Sequence, residues 1–224
     1  MSARDEILSR LRKNTRETYD KPDLKQLKGI AFADPVAEFI IKTTTTAGAQ
    51  LIEMKEGEKL NDVVQAIRKS LISSGKIQEG LIACHLPEVE AQLNPDAVND
   101  ARDLMKVDIG VVEGRIGVAE NACIWIPQTM KEKAVCFASE QLVVVLNRSD
   151  IVCNMHEAYE RIAHSEEFFH PYPFGTFISG PSKTADIESA LVYGAQAARG
   201  VTVVLRGQNS VNERGISCLI PSTT

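Results

Sequence analysis

Residues 49–84 read AQLIEMKEGEKLNDVVQAIRKSLISSGKIQEGLIAC, and their order decides the fold class. AQLIEM (49–54) reads as a strand. Residues 59–73 place apolar side chains at Leu60, Val63, Val64, Ile67 and Leu71. That i, i+3, i+4, i+7 spacing puts one apolar stripe on a helix packed against a sheet. Ser73-Ser74-Gly75 ends the helix, and GLIAC (80–84) is a short buried strand. This alternation builds a largely parallel sheet with helical cover.

Toward the N-terminus, Asp34-Pro35 supplies an N-cap followed by a proline at the first helical position. A helix through about Thr46 follows, although four consecutive threonines are unfavourable in a helix interior. Residues 19–33 read as a linker with Pro22 near its start. Residues 3–18 read as an amphipathic helix with Ile7, Leu8 and Leu11 on one stripe. Its basic residues, among them Arg4, Arg10, Arg12 and Lys13, are either a solvated face or an arm that docks on a partner subunit.

Toward the C-terminus, residues 108–126 are strand-like pieces broken by Gly114 and Gly117. QLVVVL (141–146) is a central strand buried on both faces. Residues 154–167 predict a helix, 174–180 a strand, 185–198 a helix and 201–207 a strand; GISCLIP (215–221) predicts an edge strand. The expected organisation is a helical N-terminal extension and linker over 1–33, then one α/β domain over 34–224.

The 224 residues are 44% hydrophobic and 25% charged, which excludes an intrinsically disordered chain. A chain of this length buries roughly 70–75% of its unfolded surface and needs no staples. The net charge of −5 argues against a nucleic-acid binder. Residues 1–14 lack the apolar stretch of a signal peptide. The longest apolar runs, such as LVVVL, fall far short of the ~20 residues that span a bilayer. The expected location is the cytoplasm.

The five cysteines, Cys84, Cys123, Cys136, Cys153 and Cys218, contain no CxxC pair. Zinc sites and cysteine-held iron–sulfur clusters normally need close spacing. The odd count also fits poorly with a disulfide framework. Buried reduced thiols in apolar runs are the expectation, and no metal site is predicted.

Two stretches could carry chemistry. In Gly175–Ala190, GTFISGPSKTADIESA, a strand is expected to run through a small, rigid turn into a helix near Thr184. Free amides at that helix start, with Ser182, Lys183 and Thr184, could hold a carboxylate or phosphate at the carboxyl edge of the sheet. Equally, Thr184 could be a plain N-cap, with Asp186 and Glu188 complementing the helix dipole. The spacing is neither a P-loop nor GxGxxG. In Asp108–Ile126, Glu113, Arg115, Glu120 and Asn121 are polar residues set between strand pieces. Glu120 could be a buried acid, base or nucleophile, or these glycines and carboxylates could mark only a turn. His156 and His164 lie two helical turns apart, too far for a metal clamp.

FISGPSKTADIE (177–188) closely resembles the signature of the lactate-utilization protein C family, the LUD-domain proteins. Asp108–Ile126 is similar to that family's glycine-containing strand pair, and LVVVLNRSDIVCNMHEA (142–158) to its next strand and helix. Agreement in order runs over roughly 34–207. One departure falls at Asn121-Ala122-Cys123, where the family commonly has Thr-Gly-Thr.

The resemblance implies a layered, mainly parallel α/β fold similar to the sugar-phosphate isomerase/CoA-transferase group. It implies a role beside iron–sulfur partner proteins in oxidising L-lactate to pyruvate. This chain would carry no cofactor, the clusters residing on the partners, and would be an accessory component more than an enzyme. The expected ligand- or partner-binding residues are Ser179, Gly180, Ser182, Lys183, Thr184, Asp186, Glu120 and Asn121. The alternative is a stand-alone isomerase- or transferase-like enzyme, or a small-molecule binder, using Glu120 and the Gly180–Thr184 turn.

Overall fold

A computed structural model describes residues 2–14, 20, 29–185 and 190–207. The helices are α1 (Ala3–Asn14), α2 (Pro35–Thr45), α3 (Leu60–Ser73), α4 (Val135–Ala138) and α5 (Met155–Ala163). The principal strands are β1 (Gln50–Glu53), β2 (Ile82–Cys84), β3 (Ile109–Glu113), β4 (Ile116–Val118), β5 (Cys123–Pro127), β6 (Gln141–Asn147), β7 (Ile151–Val152) and β8 (Gly175–Ile178). Two short strands, β9 (Lys183–Thr184) and β10 (Val192–Tyr193), precede the last, β11 (Gly200–Arg206).

Five strands form a wholly parallel sheet in the order β1-β11-β6-β3-β2. The central strand β6 shows why it is buried on both faces. Val143 and Val145 join the α3 stripe, and all five predicted α3 residues are buried there. Leu142, Val144 and Leu146 point the other way, into a cluster with Phe39 of α2 and Val135 of α4. Period-two alternation thus divides one apolar run between two cores. Each such buried aliphatic side chain contributes roughly 1.5–3 kcal/mol.

A second sheet, β7-β4-β5-β8, covers the face opposite α3. Ile124 and Ile126 of β5 pack toward the parallel sheet, while Trp125 joins Ala158 and Ile162 of α5. The layers are therefore α3, parallel sheet, second sheet and α5. Gly117 allows their close approach: a Cβ there would lie 2.7 Å from a Leu146 methyl.

Asp34 caps α2 as expected, its side chain accepting the Ala37 amide at 2.9 Å. Such a cap is worth about 1 kcal/mol. The threonine run is tolerated because the hydroxyls of Thr43 and Thr45 donate back to the Phe39 and Ile41 carbonyls. α1 forms with no buried residue. The end of the helix expected over 3–18 (residues 15–18), much of the linker (19 and 21–28) and the strand expected at 215–221 lie outside the described residues. Among the described residues, no helix is long and apolar enough to cross a membrane.

Three expectations are corrected. First, no helix forms over residues 190–198, within the helix expected at 185–198. After 186–189, which lie outside the described residues, the chain forms β10, which pairs antiparallel with β9. Ala190–Tyr193 stay exposed, so a helix here would bury no apolar face. Gly194 is left-handed at φ +78, and Ser182 bonds both Gly194 and Ala198 through its backbone. Second, β8 belongs to the second sheet, antiparallel to β5, and not to the parallel sheet. Third, α5 stops at Ala163, followed by a 3-10 turn at Glu166–Phe169.

Candidate functional site

The two stretches singled out by sequence do meet. The β4–β5 turn and the chain leaving β8 are joined where the Ser179 hydroxyl donates to the Asn121 carbonyl at 2.9 Å. Both abut α2: Lys42 Nζ donates to the Glu120 carbonyl at 3.0 Å, and Lys183 Nζ to the Ala47 carbonyl at 2.6 Å.

The side chains there are largely committed to structure. Glu120 Oε2 accepts the Met155 amide at 2.9 Å, at the first turn of α5. Asn154 and Glu157 close the same turn: Asn154 Oδ1 accepts the Glu157 amide, and Glu157 accepts the Cys153 amide. Asn121 Oδ1 accepts the Cys123 amide at 3.0 Å, an Asx turn. Lys183 neutralises a carbonyl just past the negative end of α2. No helix starts at Thr184, which sits in β9, so the helix-terminus anion site expected there is not formed. Ser182 contributes backbone contacts. Asp186 lies outside the described residues.

Ala122 has φ +56, the left-handed region that glycine favours. Gly180 also has a positive φ, +69, and a Cβ there would stand 2.2 Å from the Ala47 carbonyl oxygen. This turn requires glycine on both counts.

Burial pushes the half-buried Cys123 thiol up; Ser179 opposes the shift by hydrogen bonding and the Glu120 charge reinforces it. Burial likewise pushes Cys84 to about 11 and Cys136 to about 12. Cys153 is disulfide-bonded, which corrects the expectation of a thiol at that position; Cys218 lies outside the described residues. The free thiols of Cys84, Cys123 and Cys136 sit on three different elements. Among the described residues, no three His, Cys, Asp or Glu side chains gather to hold a metal ion.

A second polar constellation, absent from the expected site, lies at the carboxyl edge of the parallel sheet. Each strand ends in, or is followed at once by, a polar residue: Glu53 after β1's core, His85 after β2, Glu113 on β3, Asn147 on β6 and Arg206 on β11. Arg206 Nη2 pairs with Glu113 Oε1 at 2.5 Å, and its Nε donates to Asn147 Oδ1 at 2.9 Å. Arg115 Nη1 takes the other Glu113 oxygen at 3.1 Å. Arg148, almost wholly buried, pairs with Glu53. His85 Nε2 lies 3.0 Å from the Thr129 hydroxyl, and its Nδ1 is buried with no hydrogen-bond partner among the described residues. Burial lowers the His85 pKa, against the charges of Asp96, Glu113 and Glu88. The signal was present in sequence: apolar runs such as VVVLN and VVLR end on a polar side chain.

A parallel sheet whose polar residues collect at its carboxyl edge, backed by a second sheet, defines a layered α/β domain. The chain belongs to the LUD domain family, which matches residues 36–205. It is similar in fold to a DUF162 family protein from Deinococcus radiodurans, known from a crystal structure at 1.70 Å resolution. The TM-score is 0.56 at 13% identity, covering 80% of this chain and 100% of that one. No curated protein matches the sequence.

Proposed function

We propose that this chain is an accessory component of an L-lactate utilization system, acting with iron–sulfur partner proteins that take up the two electrons released when lactate is oxidised to pyruvate. Membership of the LUD family, a family associated with lactate utilization, carries the reading. The commitment of Glu120 to the α5 cap supports it, because a carboxylate holding a helix start makes a poor nucleophile. The raised Cys123 pKa supports it too, because the thiol form is weakly reactive. The surface joining the Ser179–Thr184 turn to Glu120 and Asn121 is then a contact for a partner or a small anion.

Co-purification from the native host tests the reading. Recovery of iron–sulfur proteins with this chain, and loss of growth on lactate when its gene is deleted, are the expected results. A chain that purifies alone, from a host whose lactate growth survives the deletion, overturns it.

A further inference from the structure

We infer that the N-terminal helix α1 is an arm that folds back onto the outer face of α5 in the same chain. Helix length alone calls for such a contact. α1 has 12 residues and none is buried; Ile7 and Leu11 are each 59% exposed. Isolated helices shorter than about 12–15 residues are marginal in water and take most of their stability from packing an apolar face. A helix over Ala3–Asn14 therefore needs a surface to lie on.

α5 offers one. Ala158 and Ile162 face the second sheet, and beside them Met155, Tyr159 and Ala163 recur at i, i+4, i+8. With His156, Glu160 and His164 one column further out, they line a recess of about 370 Å³. Tyr159 is 60% exposed and meets Phe177 of β8 edge-on at 5.7 Å. α1 carries columns of the same spacing: Ile7 and Leu11 in one, Arg4, Leu8 and Arg12 in the next. Laid on α5, the apolar side chains cover Tyr159 and Ala163, and the arginines come beside Glu160 and, past the end of the helix, Glu166. The charges match. Within α1, Arg10 pairs with Glu6 at 2.6 Å and Asp5 accepts the Ser2 hydroxyl at 2.8 Å. The charge that α1 presents outward is that of Arg4, Arg12 and Lys13.

The chain that carries the arm is fixed to the surface it serves. Asn154, the N-cap of α5, donates from Nδ2 to the Ile30 carbonyl at 2.9 Å. Gly29 passes so close that a Cβ there would lie 2.6 Å from the Asn154 side chain. Residues 15–28 alone separate that anchor from α1. A chain of that length has a root-mean-square span of about 20 Å as a random coil, against about 13 Å for the whole of α5. The arm therefore meets its own α5 at a local concentration on the order of millimolar, ahead of a second copy. The contact concerns this chain alone and goes beyond the accessory role.

Hydrogen exchange of the full chain, read by mass spectrometry at low and high protein concentration, tests it. Amides of residues 3–14 are expected to exchange at least about tenfold more slowly than an unstructured chain, equally at both concentrations. Ile7→Glu and Tyr159→Glu are each expected to return α1 to the unstructured rate while residues 141–147 of β6 keep parental protection. Glu is as good a helix former as Ile, so protection lost in Ile7→Glu reports lost packing. Where Tyr159→Glu loosens β6 as well, Ala163→Glu, on the exposed end of the same face, carries the test. α1 at the unstructured rate in the parent chain overturns the inference. Protection of α1 that survives the α5 variants overturns it too, by placing the arm elsewhere. Protection that grows with protein concentration assigns the arm to a second copy and overturns the same-chain contact. Recovery of iron–sulfur partners is read independently, so this contact and the accessory role fail separately.

Discussion

Glu120 and Met155 are 35 residues apart, yet the Glu120 carboxylate caps the first turn of α5 by accepting the Met155 amide at 2.9 Å. One side chain thereby ties the β4–β5 turn to the helix that covers the second sheet. Glu120→Ala is expected to cost about 1 kcal/mol, the usual value of a lost cap. Glu120→Gln keeps an acceptor and should lose only the charge–dipole part, about 0.3–1 kcal/mol. Urea unfolding of the three proteins measures both. A loss in Glu120→Gln as large as in Glu120→Ala would contradict the capping role.

Gly180 and Gly57 separate strain from collision. Both have positive φ, but a Cβ at Gly57 meets nothing within 4 Å, whereas one at Gly180 meets the Ala47 carbonyl at 2.2 Å. Gly57→Ala should cost about 1–2 kcal/mol from the left-handed backbone alone. Gly180→Ala should cost distinctly more, and thermal unfolding of the pair checks the order.

The Cys123 thiol is predicted to label slowly in the native protein near neutral pH. Burial holds it mainly in the thiol form, which is the unreactive one. Cys84 and Cys136, raised to about 11 and about 12, should label more slowly still. Mass spectrometry after timed alkylation gives the order directly.

His85 makes stability pH-dependent. Burial lowers its folded pKa below the ordinary value of 6.5, so the unfolded chain takes up the proton first. The stability tied to the neutral ring is present above that value. It is lost as pH falls through 6.5 toward the folded pKa. Urea midpoints for the parent and His85→Gln should diverge above pH 6.5 and converge below it. Parallel curves would remove His85 from the pH response.

Sequence alone was enough where local pattern and burial agree. Asp34-Pro35 begins α2, the five-residue stripe of α3 is buried, and QLVVVL is the central strand. It was not enough where the outcome depends on a distant surface. ALVYGAQAA has good helix formers, but nothing packs over Ala190–Tyr193 and the chain forms β10 instead. FGTFISG was read correctly as a strand and assigned to the wrong sheet, because the choice between sheets is made by β5, some fifty residues earlier. The meeting of Ser179 with Asn121 is equally non-local. The carboxyl-edge residues were legible one strand at a time, and only the parallel register of the sheet gathers them.

The strand order carries a consequence for synthesis. β1 pairs with β11 and β11 with β6, so the last strand among the described residues fills the gap between an edge formed from residues 50–53 and the middle of the sheet. While the chain is growing, β1 lacks its neighbour until residues 200–206 leave the ribosome. Until then β6 has one bare side, with Val143 to Leu146 ready to pair with any other extended segment. The nascent chain therefore carries an open template for aggregation until residues 200–206 are made.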